Sequence, residues 1–214
     1  MRFRPSAIAK RIAFWAATLV VCPALLSFHL RRMVFGRDRA LEGSSQMLSI
    51  IPGVMGQYLR RAFFARTLAR CHSSVTIEFG VLFSKTGARL DEHVYVGPRC
   101  HLGLVHLERD VLLGPGVHVP SGRSTHGTVD LTRPIREQDV CYSIVRIGAG
   151  SWIGSAAIVM ADVGCETVVG AGSVVVHALP DRVVAAGNPS NVIRSRVREQ
   201  IQERVPCDVH RRGA

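Results

Sequence analysis

Between Leu90 and Val175 an aliphatic residue returns every sixth position, usually with Gly or Asp behind it and a smaller residue four places on. Leu90, Val96 and Leu102 open the series, with Asp91, Gly97 and Gly103 following them. After a one-residue slip come Leu107, Leu113 and Val119; Val94, Cys100, Val111 and Val117 hold the fourth place. The series stops at Pro120 and resumes at Ile147, Ile153 and Val159, then contracts by two residues to Val163, Val169 and Val175. A period of six fits neither a helix nor a simple alternating strand. It predicts a solenoid in which each six-residue stretch is one short strand and a turn, and three stretches close a triangular coil. Aliphatic side chains then stack inward, successive coils pair at about 4.8 Å, and Gly, Asp and Asn suit the corners. Ile77 and Phe83 open the first coil, and the body begins near Cys71.

The first seventy residues have a different pattern. Ile12 to Phe28 carry no charge, include Trp15, and are bracketed by Lys10 and Arg11 before and His29, Arg31 and Arg32 after. This run, about 17 residues, is at the short edge for a bilayer span, and Pro23 predicts a kink. A second apolar run, Met47 to Leu59, is interrupted by Pro52, Gly53 and Gly56 and followed by Arg60, Arg61, Arg66 and Arg70. Basic clusters beside both runs predict a helical, membrane-associated segment on the cytoplasmic face of the inner membrane. The pattern leaves open whether residues 12–28 span, re-enter, lie on the leaflet or pack on the body. No small-x-small site follows Phe28, which disfavours a cleaved signal peptide.

Charge sharpens this division. The net charge is +11, but residues 1–70 hold 12 Lys and Arg against 2 Asp and Glu, while residues 71–214 hold 15 against 14. The body therefore lacks the basic face of a nucleic-acid binder. Three parts are expected: residues 1–70, a solenoid over 71–196 with an excursion at 120–146, and a tail over 197–214. The 6 cysteines show no CxxC pair and no metal spacing, so Cys71, Cys100, Cys165 and the others read as small apolar fillers in a reducing compartment.

The repeats, the SGRSTHG stretch at 121–127, IGAGSWIG at 147–154, VGAGSVV at 169–175 and AAGNPSNVIRSR at 185–196 resemble hexapeptide-repeat acyltransferases. More narrowly they resemble bacterial acetyltransferases that modify surface saccharides. The resemblance implies a left-handed parallel β-helix, a homotrimer, and acetyl-CoA as co-substrate in a groove between neighbouring subunits, with no metal. It implies His126 as the catalytic base. It also implies that Trp152 borders the pantetheine arm, whose amides pair with backbone at Gly154, Ser155 and Ala156 and at Ala171, Gly172 and Ser173.

The residues carry their own argument for some of these roles. The excursion breaks a regular coil, and such loops are often functional. His126 lies on it among small residues, off the aliphatic series. Acyl transfer to a hydroxyl needs a base titrating near neutrality. Ser124 and the acidic Asp130 and Glu137 are acceptor-site candidates, and either carboxylate, or a main-chain carbonyl, could orient the far nitrogen of His126. Arg194 and Arg196 follow the Gly187–Pro189 turn and read either as a solvated tail or as partners for the adenosine phosphates. His101 and His106 are candidates for the acceptor pocket. The same pair raises an alternative, a β-helical zinc hydratase of the carbonic anhydrase type, which needs a third imidazole from His72, His93, His118 or His126. None has a clear spacing. A membrane-tethered, non-catalytic trimeric scaffold is the other class. The expected activity is transfer of acetyl to a hydroxyl of a saccharide or lipid-linked saccharide.

Overall fold

The computed structural model describes residues 7–197, with side chains from Phe14 onward. Apart from Val197, the expected tail lies outside the described residues. Three helices, α1 (Ala7–Phe35), α2 (Arg37–Ser49) and α3 (Gly53–Thr67), precede strands of mostly two residues. The second apolar run is not one helix. It straddles the α2–α3 junction, where α2 stops at Ile50 and Pro52 caps α3. Helix α1 continues through Pro23.

The strands form three parallel ladders, the faces of a left-handed triangular solenoid. Face A stacks β1 (Arg70–Cys71), β4 (Arg89–Leu90), β7 (Val105–Leu107) and β10 (Val145–Ile147). Face B stacks β2 (Thr76–Ile77), β5 (Tyr95–Val96), β8 (Leu112–Leu113), β11 (Trp152–Ile153), β13 (Val168–Val169) and β15 (Val183–Ala186), closed by the antiparallel β16 (Asn191–Ser195). Face C stacks β3 (Leu82–Phe83), β6 (His101–Leu102), β9 (His118–Val119), β12 (Ile158–Val159) and β14 (Val174–Val175).

The six-residue series is the core. Leu90, Val96, Leu102, Leu107, Leu113, Val119, Ile147, Ile153, Val159, Val163, Val169 and Val175 are all buried, as are Val94, Cys100, Val111 and Val117. The glycine behind the aliphatic residue has a cause other than corner flexibility. A Cβ on Gly154 would stand 2.5 Å from the Ala171 nitrogen, and one on Gly148 2.5 Å from the Cys165 nitrogen. Neighbouring coils approach there too closely for any side chain. The left-handed corners sit elsewhere and accept larger residues. His93, Asp110, Gly150, Glu166 and Arg182 form one column, with φ of 58°, 59°, 68°, 53° and 57°. In it each N–H from Asp110 upward bonds a carbonyl of the coil below, as from Asp110 to Glu92 and from Gly150 to Arg109. That interstrand bond offsets the conformational cost of a positive φ.

A solenoid has two open ends, each with unpaired strand edges. At the C-terminal end β16 covers β15. At the other, the helices do so. Ser45 Oγ accepts from Phe83 N at 2.8 Å, Ser49 O accepts from Gly80 N at 2.9 Å, and Asp38 accepts from Thr86 N and Oγ1 at 2.9 Å. Burial would raise the Asp38 carboxyl, but the Thr86 bonds and Lys85 bring it below its ordinary value. The fully buried Arg60 donates to the carbonyls of Ile77, Leu48 and Ile51 at 3.0, 3.1 and 2.7 Å. A relay of aromatic contacts, Phe28–Phe63–Phe64–Phe83, continues the solenoid core into the helices.

The cysteine expectation holds at Cys100, which is buried and whose thiol burial pushes up to about 11; Cys71 and Cys165 are half-buried. It fails at Cys22 and Cys141, which are exposed.

Candidate functional site

The excursion leaves face C after Val119 and returns on face A at Val145. Its neck is closed by Ser121, whose Oγ accepts from Leu104 N at 2.9 Å and whose carbonyl accepts from Ser143 N at 2.9 Å. Its interior is organised by the buried Gln138, which donates to the carbonyls of Asp130 and Arg133 at 2.7 and 3.0 Å. Arg123 ties the loop to the later coils through the Val176 carbonyl at 3.2 Å.

A cavity of about 260 Å³ lies where this loop meets face C. Its walls include Glu42 from α2, Lys85, His101 from β6, His118 from β9, and Thr125 and Tyr142 from the excursion. The imidazoles of His101 and His118 stack with centroids 5.0 Å apart and planes 7° apart. Parallel pairing puts them at the same register on adjacent strands. Lys85 Nζ stands 3.8 Å from the Tyr142 ring centroid and 3.3 Å from Asp38, so one cation fastens the excursion to the corner before face A and to α2. Burial, and secondly the neighbouring His101, lower the His118 pKa below the ordinary imidazole value of 6.5. The sign of the pH effect follows. Below about pH 6.5 the unfolded chain takes a proton at His118 that the folded chain resists, so stability falls as pH drops through that value. Replacing His118 by Asn should flatten the fall in melting temperature between pH 7 and pH 5, as measured by thermal denaturation; an unchanged slope would sink this account.

The candidate residues fall into separate places. His126 is exposed on the excursion, beside the cavity-lining Thr125 and before Gly127, whose N–H bonds the Asp139 carbonyl at 2.8 Å. Ser124 is exposed next to it. Asp130 is turned inward on its own loop, accepting from Thr132 N and Oγ1 at 2.9 and 2.6 Å, and these bonds lower its pKa. Glu137 is exposed beside Arg136. Neither carboxylate bonds His126 among the described residues. His101 lines the cavity but His106 does not. It projects from face A and contacts Asp91 at 3.0 Å. The pair raised for zinc is thus divided between two faces, and among the described residues no three His, Cys, Asp or Glu side chains converge.

Ser155 and Ala156, and Ala171 and Gly172, are exposed on one column of corners at the far edge of face C. Ala156 N bonds Pro115 O and Gly172 N bonds Ser155 O, both at 2.8 Å. The N–H groups of Ser155 and Ala171 meet no acceptor among the described residues. Gly154 and Ser173 are buried behind them. Trp152 is 52% exposed on face B, in register with the 44% exposed Leu112 and with Val168. Arg194 pairs in register with Val184 on β16, and Arg196 donates to the Glu166 carbonyl.

Sequence reasoning missed Glu42, Lys85 and Tyr142 as cavity walls and weighed His118 only as a ligand. One signal was available for the last. His101 and His118 are separated by three repeats less the one-residue slip, which places them on consecutive coils of one face.

No family model matches the chain. A stretch of 73 residues is 38% identical to a probable acetyltransferase of Mycobacterium tuberculosis, covering 33% of this chain and 24% of that one. Another, of 89 residues, is 37% identical to the galactoside O-acetyltransferase of Escherichia coli, covering 40% and 41%. The chain thus spans under half the length of these relatives. Among solved structures, a maltose O-acetyltransferase from Clostridium difficile superposes with a TM-score of 0.63 at 20% identity, over 74% of this chain and 87% of that one. A galactoside acetyltransferase in complex with coenzyme A gives 0.59 at 24% identity, over 78% and 86%. At such identities the structural likeness speaks for the fold. The chain has a left-handed β-helix fold built on a six-residue repeat, and part of it is similar in sequence to acetyltransferases.

Proposed function

We propose that this chain transfers the acetyl group of acetyl-CoA to a hydroxyl of a saccharide or lipid-linked saccharide. Residues 71–196 form the catalytic unit, and residues 1–70 attach it to the cytoplasmic face of the inner membrane. The observation that carries this reading is the arrangement of face C. A small cavity walled in part by Glu42, Lys85, His101 and His118, and the His126 loop, stand at one edge, and a column of exposed corners with unpaired backbone N–H groups at the other. Donors at Ser155 and Ala171 suit the carbonyls of a pantetheine arm laid along the coils. The cavity, at the small end for ligand sites, suits a single sugar ring whose hydroxyls meet Lys85, His101 and Glu42. The relatives' names, a galactoside O-acetyltransferase among them, favour the same substrate class.

In this reading His126 takes the proton from the acceptor hydroxyl as its oxygen attacks the thioester carbonyl. A backbone N–H or a loop hydroxyl such as Thr125 or Ser124 holds the developing oxyanion. The thiolate of CoA leaves and is protonated from His126. Arg194 and Arg196, at the end of face B, are the cations this reading assigns to the phosphates of CoA.

A homotrimer is part of the proposal. Leu112 and Trp152 form an outward apolar ladder on face B with Tyr95, Val168 and Val184. A monomer leaves this ladder in water, and a neighbouring subunit would cover it. Helix α1 supports attachment to lipid, since Phe14–Phe35 is long and apolar enough to cross a membrane.

The test is release of CoA thiol from acetyl-CoA by the purified full chain, with galactosides, nucleotide sugars and lipid-linked saccharides offered in turn. Acceptor-dependent release, with an acetyl ester on the recovered sugar, is expected. Thiol release at the background rate with every acceptor would leave only the scaffold reading.

A further inference from the structure

A second, larger cavity lies far from the excursion, between the helices and the first coil. Its volume is about 850 Å³. One wall is Phe14 and Trp15 of α1 with Val54, Tyr58 and Arg61 of α3; the other is Ser73 and Thr76 of the first coil and His93 of the next. The Arg61 guanidinium carbon lies over the rings of Tyr58 and Phe14, 4.7 and 5.5 Å from their centroids. Its Nε is buried and has no hydrogen-bond partner. Among the described residues no carboxylate lies within ion-pair distance of it. Arg61 is only partly buried and lines the cavity, so a cation stands there with no carboxylate beside it and with donors that an anion can accept from.

The rim of this cavity shows what carries the anion. Trp15 and Val54 at its mouth are exposed and apolar. From Trp15 an uncharged stripe of Leu19, Val20, Leu26, Leu30 and Met33 runs along the outer side of α1, all exposed. The opposite side, Ala17, Val21 and Phe28, is buried against the bundle. Helix α1 is therefore committed to protein along one side and open along the other, as in a helix lying in the membrane interface. The cavity sits where that apolar stripe meets the polar first coil, the level of lipid headgroups.

We propose that this cavity is a binding site for the phosphate headgroup of an anionic membrane lipid, with Arg61 as its cation and the acyl chains passing over Trp15 and Val54 onto α1. It rests on the reading of residues 1–70 as membrane-attached and is independent of acetyl transfer. The site orients the chain on the bilayer with α1 lengthwise, so the helix lies along the surface.

Flotation of the full chain with phosphatidylcholine vesicles, with and without phosphatidylglycerol, tests this. At about 0.5 M salt, where the Debye length is roughly 4 Å and diffuse attraction to basic surfaces is screened, the wild type should still bind the anionic vesicles about tenfold more tightly. Arg61→Gln should abolish that preference, and Arg39→Gln, which removes an exposed cation of α2 outside the cavity walls, should preserve it. Arg61→Lys, which keeps the charge without the planar stack, should retain less than half of it. Circular dichroism melts establish that each variant is folded. Full preference in Arg61→Gln or Arg61→Lys would overturn the site. Equal binding to both vesicles would overturn it while leaving membrane attachment intact; binding to neither would remove both. Loss of the wild-type preference in about 10 mM inorganic phosphate, a concentration too low to screen further at that salt, would assign the cavity to free phosphate and overturn the lipid as its occupant.

Discussion

Replacing His126 by alanine should leave the chain folded and, on the proposed mechanism, slow acetyl transfer about a thousandfold, the middle of the range for losing a general base. The side chain is exposed and makes no hydrogen bond within the described fold, so its removal costs the structure little. Its place on the excursion, one residue from the cavity wall, suits contact with substrate rather than packing. The loss should appear in kcat with KM for acetyl-CoA little changed, because the corner column that would hold the pantetheine is untouched. Steady-state thiol release read beside CoA binding by calorimetry separates the two. Activity within about threefold of wild type would remove His126 from the chemistry and turn attention to the His101–His118 pair.

Replacing Arg60 by methionine should destabilise the chain by about 3–5 kcal/mol, the cost of breaking a buried charged network from one side. Arg60 is completely buried. Burial lowers its pKa, an effect that the nearby Glu78 partly opposes. Its guanidinium joins the C-terminal end of α2, the α2–α3 junction and the first strand of face B through three carbonyls. Methionine fills much of the volume but leaves the buried Ile77 carbonyl without a donor and the Leu48 carbonyl with the long 3.4 Å bond from Ile51 N. The helices would then loosen from the open end of the solenoid, exposing the edges of β2 and β3. Urea denaturation in mild detergent, followed by helical ellipticity, measures the loss. Arg66→Met provides the comparison: the exposed Arg66 bonds the Ala62 carbonyl of its own helix and lies over the Phe14 ring, 5.7 Å from its centroid, and a loss within about 1 kcal/mol is expected. A loss below about 1 kcal/mol for Arg60→Met would show that the bundle is held by the Phe28–Phe83 aromatic relay alone.

The contrast between His126 and Arg60 shows what could be read from the chain in advance. His126 stood out because it interrupts a repeat. Arg60 looked like one of four arginines in a basic cluster flanking an apolar run, yet it is the most deeply buried of them. Composition cannot separate a solvated cation from one that caps three carbonyls, since both occur in the same kind of sequence. The glycines behind the aliphatic positions carried a similar ambiguity. Their place in the repeat was plain, but the cause at Gly148 and Gly154 is the close approach of the next coil rather than corner geometry.

By itself the sequence determined the inward face of the coils from Leu90 to Val175, the three-sided section and the point where the excursion begins, because a six-residue period is local and each inward residue is set by its own neighbours. The tertiary structure alone decided which outward residues meet. Lys85 lies against Tyr142, Glu42 beside the excursion and Arg61 over the rings of Tyr58 and Phe14. Those contacts depend on coil-to-coil register, on slips at the corner between faces C and A, and on how α2 and α3 dock on the open end. All three are long-range, and no periodicity along the chain encodes them.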